Sequence, residues 1–219
     1  PARTSSSRRS WNTTRTSCSG TNSMTPTSDR DRRMRWLLVS QSIALFGTGI
    51  VFPFYVVFTR QIGANFTQFG IAYALFSLSA AATHALIGRW SDRFGRRPFL
   101  LLNSWGTAGL FLLFPLATTI WHVYILQAVL GVFGAMHRTS EKALLADLTD
   151  DGERGRRIGV YHGWVSIFSA LAVMVGGYLI DLFTLSIIFY IGSPILFVSG
   201  IAAARIAEPS PRLPAEGAP

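Results

Sequence analysis

Residues 66–118 read FTQFGIAYALFSLSAAATHALI, then GRWSDRFGRRP, then FLLLNSWGTAGLFLLFPLAT. Two runs without a single Asp, Glu, Lys or Arg, Phe66–Ile87 and Phe99–Thr118, flank an eleven-residue segment holding four arginines and one aspartate. Runs of 22 and 20 residues match the roughly 20 that a helix needs to cross a hydrocarbon core. They are too long for strands, and they lack the polar stripe that a helix on a soluble core turns to water. In lipid the backbone must satisfy its own hydrogen bonds, which a helix does within one segment. The stretch therefore predicts a membrane hairpin of span, short basic loop and span.

The pattern repeats along the chain. Charge-free windows also cover Trp36–Phe58, Ile120–His137, Gly159–Leu179 and Thr184–Ala204, giving six windows of 18 to 23 residues. The 219-residue chain is 49% apolar, 13% aromatic and only 14% charged, against about a quarter charged in soluble domains. A mean hydropathy of +0.34 coexists with a net charge of +9, so the charge must be kept apart from the apolar mass. That combination excludes a disordered chain, a disulfide scaffold and an ordinary soluble enzyme. The single cysteine, Cys18, excludes an internal disulfide and a cysteine-cluster metal site. The expected fold class is an all-α membrane protein with six transmembrane helices.

An even number of spans places both termini on one side, together with the loops Gly88–Pro98 and Arg138–Ile158. That side holds 19 of the 20 Lys and Arg residues, and only Arg60 falls opposite. An excess of Lys and Arg marks the cytoplasmic face, so a multi-pass cell membrane protein with both termini in the cytoplasm is expected. The bilayer is then the partner that the basic residues face, and nucleic acid is not needed to explain them. Residues 1–34 read as a basic tail rich in Ser, Thr and Arg, expected to be disordered. The composition of its first 28 residues also resembles an organelle transit peptide, which leaves an organelle membrane open. Residues 35–206 form the bundle, and 207–219 a Pro-rich tail or the start of a linker. Asn65-Phe66-Thr67 fits a glycosylation sequon but abuts a span and reads as accidental.

The most specific stretch is the basic loop itself. Gly95 suits a sharp turn because it tolerates positive φ, and Asp92 sits among Arg89, Arg93, Arg96 and Arg97, where charge-assisted hydrogen bonds are strong. Gly88, Trp90, Asp92, Arg93, Gly95, Arg96, Arg97 and Leu100 resemble the signature between the second and third spans of the major facilitator superfamily. Ala146-Asp147-Leu148 with Glu153-Arg154-Gly155-Arg156 resembles that family's second motif, between the fourth and fifth spans. The resemblance covers residues 35 to 208 and all six spans. It implies one half, a 3+3 repeat, of a bundle that transports small-molecule solutes by alternating access. It further implies that Asp92 accepts bonds from Arg93 or its neighbours, while Asp147 and Arg154 exchange charge pairs with the first loop as a conformational latch.

The departures from the family carry their own expectations. Family members have twelve spans, so a second six-helix half is expected from a longer chain, a second chain or a homodimer. Gln127 stands where many proton-coupled members carry arginine, and Ala172-Val173 stands where drug antiporters have Gly-Pro. No carboxylate falls at mid-depth in a span. Gln127, about 10 Å from the outer end of its helix, and Ser166, on one face with Ser169, are the candidate substrate-binding residues. Ser77, Ala81 and Ala85, Gly131 and Ala135, and Gly159 and Gly163 recur every four residues and are expected to pack helix against helix. Arg138, Glu141 and Lys142 read as a solvated helix end. His84, His122, His137 and His162 lack metal-ligand spacing, and neither a phosphate loop nor a nucleophile elbow is complete. No cofactor, metal or enzymatic activity is expected. The leading expectation is an N-terminal half of a secondary transporter, with efflux as one direction. The alternative is a truncated or half-size, non-transporting membrane protein acting as an interaction or assembly module.

Overall fold

A computed structural model describes residues 26–149 and 154–206. Among them every regular element is helical: α1 (Pro26–Val51), α2 (Tyr55–Gln61), α3 (Phe66–Phe94), α4 (Arg97–Leu113), α5 (Ile120–Leu148), α6 (Arg154–Leu182) and α7 (Ile187–Ala204). A 3-10 turn at Phe52–Phe54 joins α1 to α2, because Pro53 offers no amide hydrogen to continue the α pattern. The two helices make one bent span. With α3 to α7 they give six spans of 18 to 31 residues, each apolar enough to cross a bilayer. The protein is thus a multi-pass membrane protein.

The helices overrun the apolar windows at the basic end. α3 carries Arg89, Asp92 and Arg93 within it, so the expected loop from Gly88 to Pro98 shrinks to Gly95 and Arg96. Gly95 takes φ +90, a backbone that only glycine adopts cheaply. α5 likewise runs through Arg138 and Lys142 to Leu148. A charge ends an apolar window without ending a helix, since Arg and Lys are good helix formers. α1 begins at Pro26, so part of the basic tail continues the first span. Asp31 of that extension accepts from Arg157 Nη1 of α6 at 3.0 Å. At the opposite end Asn65 and Gln68 form a reciprocal capping box at the start of α3, with bonds of 2.8 and 3.0 Å. The asparagine of the sequon therefore has a structural task.

Packing follows a repeated plan. The principal pairs are α3 with α5, α5 with α4, α4 with α7, α7 with α1, and α1 with α6. Exchanging the first three spans for the last three maps this set onto itself. The bundle is therefore a 3+3 repeat, with α3 and α6 as equivalent edges. Their central stretches are the least covered, 22% and 17% buried. Both edges are held by glycine contacts. A Cβ on Gly131 of α5 would collide with the carbonyl oxygen of Phe76 in α3. A Cβ on Gly176 of α6 would stand 2.7 Å from the carbonyl oxygen of Ile50 in α1. The middle is tied by hydroxyls: Ser193 Oγ donates to the Ala108 carbonyl at 2.9 Å and Ser199 Oγ to the Ser40 carbonyl at 2.8 Å.

The small residues divide accordingly. Gly131 and Ala135 are buried against α3 as expected. Ser77, Ala81 and Ala85 on α3, and Gly159 and Gly163 on α6, are exposed. The expected contacts of those five are absent among the described residues, because they occupy the outer faces of the two edge helices.

Candidate functional site

A cavity of about 330 Å³ lies at the centre, with lining residues from every one of the six spans. Its wall is largely apolar and aromatic. Phe114 and Phe189 stack at 5.2 Å, and Phe58, Phe111 and Tyr55 pack edge-on against them. Polar groups converge on this wall from different helices: Thr48, Tyr55, Asn103, Thr107, Gln127, His137, Arg138 and Ser169. A chamber of this kind, apolar with a few placed polar groups, is how proteins hold small molecules.

Two of those groups are buried without a bonded partner. Gln127 is 3% exposed and Tyr55 6%. The two side chains approach each other, but neither Gln127 Oε1 nor the Tyr55 hydroxyl closes a hydrogen bond. An unpaired polar atom in an apolar setting costs about 1–3 kcal/mol, so each of the two would gain from a fully formed hydrogen bond. Gln127 is placed there by the buried face of α5, which also turns Val123, Leu126 and Gly131 inward. Ser166 does not reach the cavity. It is exposed on α6, and Ser169, one turn further on, lines the wall instead.

Below the cavity, toward the basic end, a polar chain joins three helices. Thr107 Oγ1 donates to Asn103 Oδ1 at 3.3 Å within α4. Asn103 Nδ2 faces His137 Nδ1 of α5 at 3.3 Å. His137 Nε2 stands 3.6 Å from Glu141 Oε2, and the Tyr161 hydroxyl of α6 donates to Glu141 Oε1 at 2.5 Å. The expectation of a solvated cluster thus holds for Arg138 and Lys142, which are exposed. It fails for Glu141, whose side chain is 15% exposed. Helical spacing carries it to the inner face, one turn beyond His137. Sequence reasoning missed it because Arg138 ends the charge-free window three residues earlier.

The residues expected to form a latch meet at the junction of α3, α4 and α5. Arg96 Nη1 donates to Asp147 Oδ2 and to the Ala143 carbonyl of α5, and Arg96 Nη2 lies 3.7 Å from Asp92 Oδ1. Arg97 Nη2 donates to the Ala204 carbonyl at the end of α7. Guanidinium groups at the start of α4 oppose its dipole, and the two carboxylates and the carbonyl end of α7 offset this. Asp92 is paired with Arg96, while the Arg93 guanidinium sits 5.6 Å over the Phe94 ring. The Asp92 side chain stays 73% exposed on the edge helix α3. Trp90 is 53% exposed, and Gly88 borders open space. Arg154 opens α6, but its side chain and Glu153 lie outside the described residues.

Residues 37–219 match the family model of the Major Facilitator Superfamily. An uncharacterized MFS-type transporter of Bacillus subtilis (strain 168), YitZ, is 51% identical over 156 residues, covering 71% of this chain and 95% of that protein. A class H tetracycline resistance protein of Pasteurella multocida is 28% identical over 149 residues, 67% of this chain and 37% of its own length. The multidrug resistance protein MdtG of Proteus mirabilis is 28% identical over 157 residues, 69% and 39% of the two lengths. The chain therefore spans nearly all of the first relative and less than half of the other two.

Proposed function

From its membership in the major facilitator superfamily, to which this chain belongs, we propose that it is the six-helix half of a secondary transporter that moves small molecules by alternating access. The central cavity carries this reading: a largely apolar wall with the unpaired Gln127 Oε1 and Tyr55 hydroxyl in it. The tetracycline and multidrug resistance relatives support a moderately apolar solute and an efflux direction. The one-sided basic residues support a cytoplasmic location for both termini in the cell membrane.

Alternating access needs a second six-helix half. Its place is supported by the exposed small residues Ser77, Ala81 and Ala85 on α3 and Gly159, Gly163 and Ser166 on α6, which allow close helix approach. The exposed Asp92 marks the end of the same edge. Together with Arg96 and Asp147, it forms the latch that fastens the basic end in one conformation. YitZ, matched over 95% of its length, supports a half that exists as its own chain.

Reconstitution of the native complex in liposomes tests this, with tetracycline and ethidium as probe solutes. Saturable flux, altered in rate by Asp92→Asn, is the expected result. Flux of neither probe, with cavity residues tolerant of any substitution, would instead favour the non-transporting assembly module.

A further inference from the structure

We propose that Glu141 is a proton-binding site that opens onto the cavity through His137, so that its carboxyl exchanges one proton with water in the solute chamber. The hydrogen bonds fix a direction. Asn103 Oδ1 accepts from Thr107, which leaves Asn103 Nδ2 as the donor to His137 Nδ1. The imidazole hydrogen is then on Nε2, facing Glu141 Oε2 at 3.6 Å. Tyr161 donates to the other carboxyl oxygen at 2.5 Å. Every donor in the chain thus leads to Glu141, and the chain begins at Thr107, Asn103 and His137, all of which line the cavity.

The surroundings suit a titrating group better than a fixed ion pair. An ionised carboxylate near the hydrocarbon edge is costly unless paired. Counting from Ile120 at roughly 1.5 Å per residue, His137 stands about 26 Å and Glu141 about 32 Å along α5. Among the described residues the groups against the Glu141 carboxyl are His137 and Tyr161 rather than a guanidinium. Arg138 and Lys142 flank it on α5, and His162 lies against the Tyr161 ring at 5.2 Å. Arg138 is exposed and lies 5.9 Å over the Phe76 ring of α3, while α4 contributes only the neutral Asn103. One proton is taken up in two transfers. A hydronium ion in the cavity breaks an O–H bond as an N–H bond forms at His137 Nδ1, leaving water behind, while the Asn103 amide swings away. The carboxylate closes on the ring, the Nε2–H bond breaks and an O–H bond forms at Glu141 Oε2. The imidazole is left neutral in its other tautomer, and the carboxyl is neutral and still held by Tyr161.

Infrared difference spectra of the full chain in lipid nanodiscs, recorded between an acid and an alkaline buffer, test the site without any solute. A protonated-carboxyl band is expected at the acid end, lost in Glu141→Gln and moved to higher frequency in Tyr161→Phe. A cationic thiol reagent attached at Thr48→Cys, in a Cys18→Ser background, places a charge in the cavity and should diminish the band. A band that survives Glu141→Gln, or that ignores both Tyr161→Phe and the cavity cation, overturns the proposal. The Tyr161 and Thr48 variants keep the test open should the Glu141→Gln protein fail to fold. The proton site rests on the transport reading only in that the chamber is a path for solute, and failure of that reading would show in flux and not in these spectra.

Discussion

Replacing Gln127 with leucine should make the protein more stable and useless as a transporter. The Gln127 side chain is 3% exposed, and its Oε1 has no hydrogen-bond partner. Leucine has similar bulk and no polar atom to leave unpaired. Removing an unpaired buried acceptor is worth about 1–3 kcal/mol in a soluble protein. In a bilayer the unfolded reference also finds partners, which lowers the expected gain to about 1–2 kcal/mol. At about 2–4 °C per kcal/mol for a chain of this size, the melting temperature should rise by about 2–8 °C. Thermal unfolding of purified parent and variant in the same detergent, followed by circular dichroism, reads that shift. Flux of tetracycline or ethidium in liposomes reads the loss of function. A variant that melts lower while transporting as fast as the parent would refute the idea that Gln127 is held unpaired for a guest.

Other substitutions separate packed from open positions. Gly131→Ala drives a methyl into the Phe76 carbonyl and should cost about 1–3 kcal/mol, whereas Gly163→Ala, with nothing within 4 Å, should not lower the melting temperature of the isolated chain. Asn65→Ala removes the capping box of α3 and should cost about 1 kcal/mol, with faster amide exchange confined to the first turn of that helix. Arg96→Ala frees the start of α4 from Asp147 and Ala143; since the pair is partly exposed, stability should fall by no more than about 1 kcal/mol, while exchange at residues 95 to 98 accelerates. Unchanged exchange there would argue against a latch.

The spans were legible because twenty uncharged residues in lipid leave the backbone one solution, so windows such as Phe66–Ile87 and Gly159–Leu179 fall inside α3 and α6. Their ends were not, because hydropathy records where lipid stops and not where the helix stops, and α5 continues well past Arg138. Membership of a cavity depends on which way a helix faces in the assembled bundle. Gln127 stood out as a polar residue in an apolar run, but the choice between Ser166 and Ser169 needed the rotation of α6. Small-residue spacing showed that close approach was available on Ser77 and Gly159 without showing which bundle would use it. Glu141 was hidden by its charged neighbours Arg138 and Lys142, which are exposed while its own side chain is largely buried.

Alternating access is tested most directly by the accessibility of one cavity position from both sides of the membrane. Thr48 lines the cavity and its hydroxyl only bonds back to the Ala44 carbonyl at 3.0 Å and the Leu45 carbonyl at 3.4 Å, so a cysteine there, with Cys18→Ser, should be tolerated. In sealed vesicles of the native complex, a membrane-impermeant thiol reagent should label that cysteine when added inside and, separately, when added outside, with a transported solute slowing both. Labelling from one side only, whatever the solute, would contradict transport through this cavity.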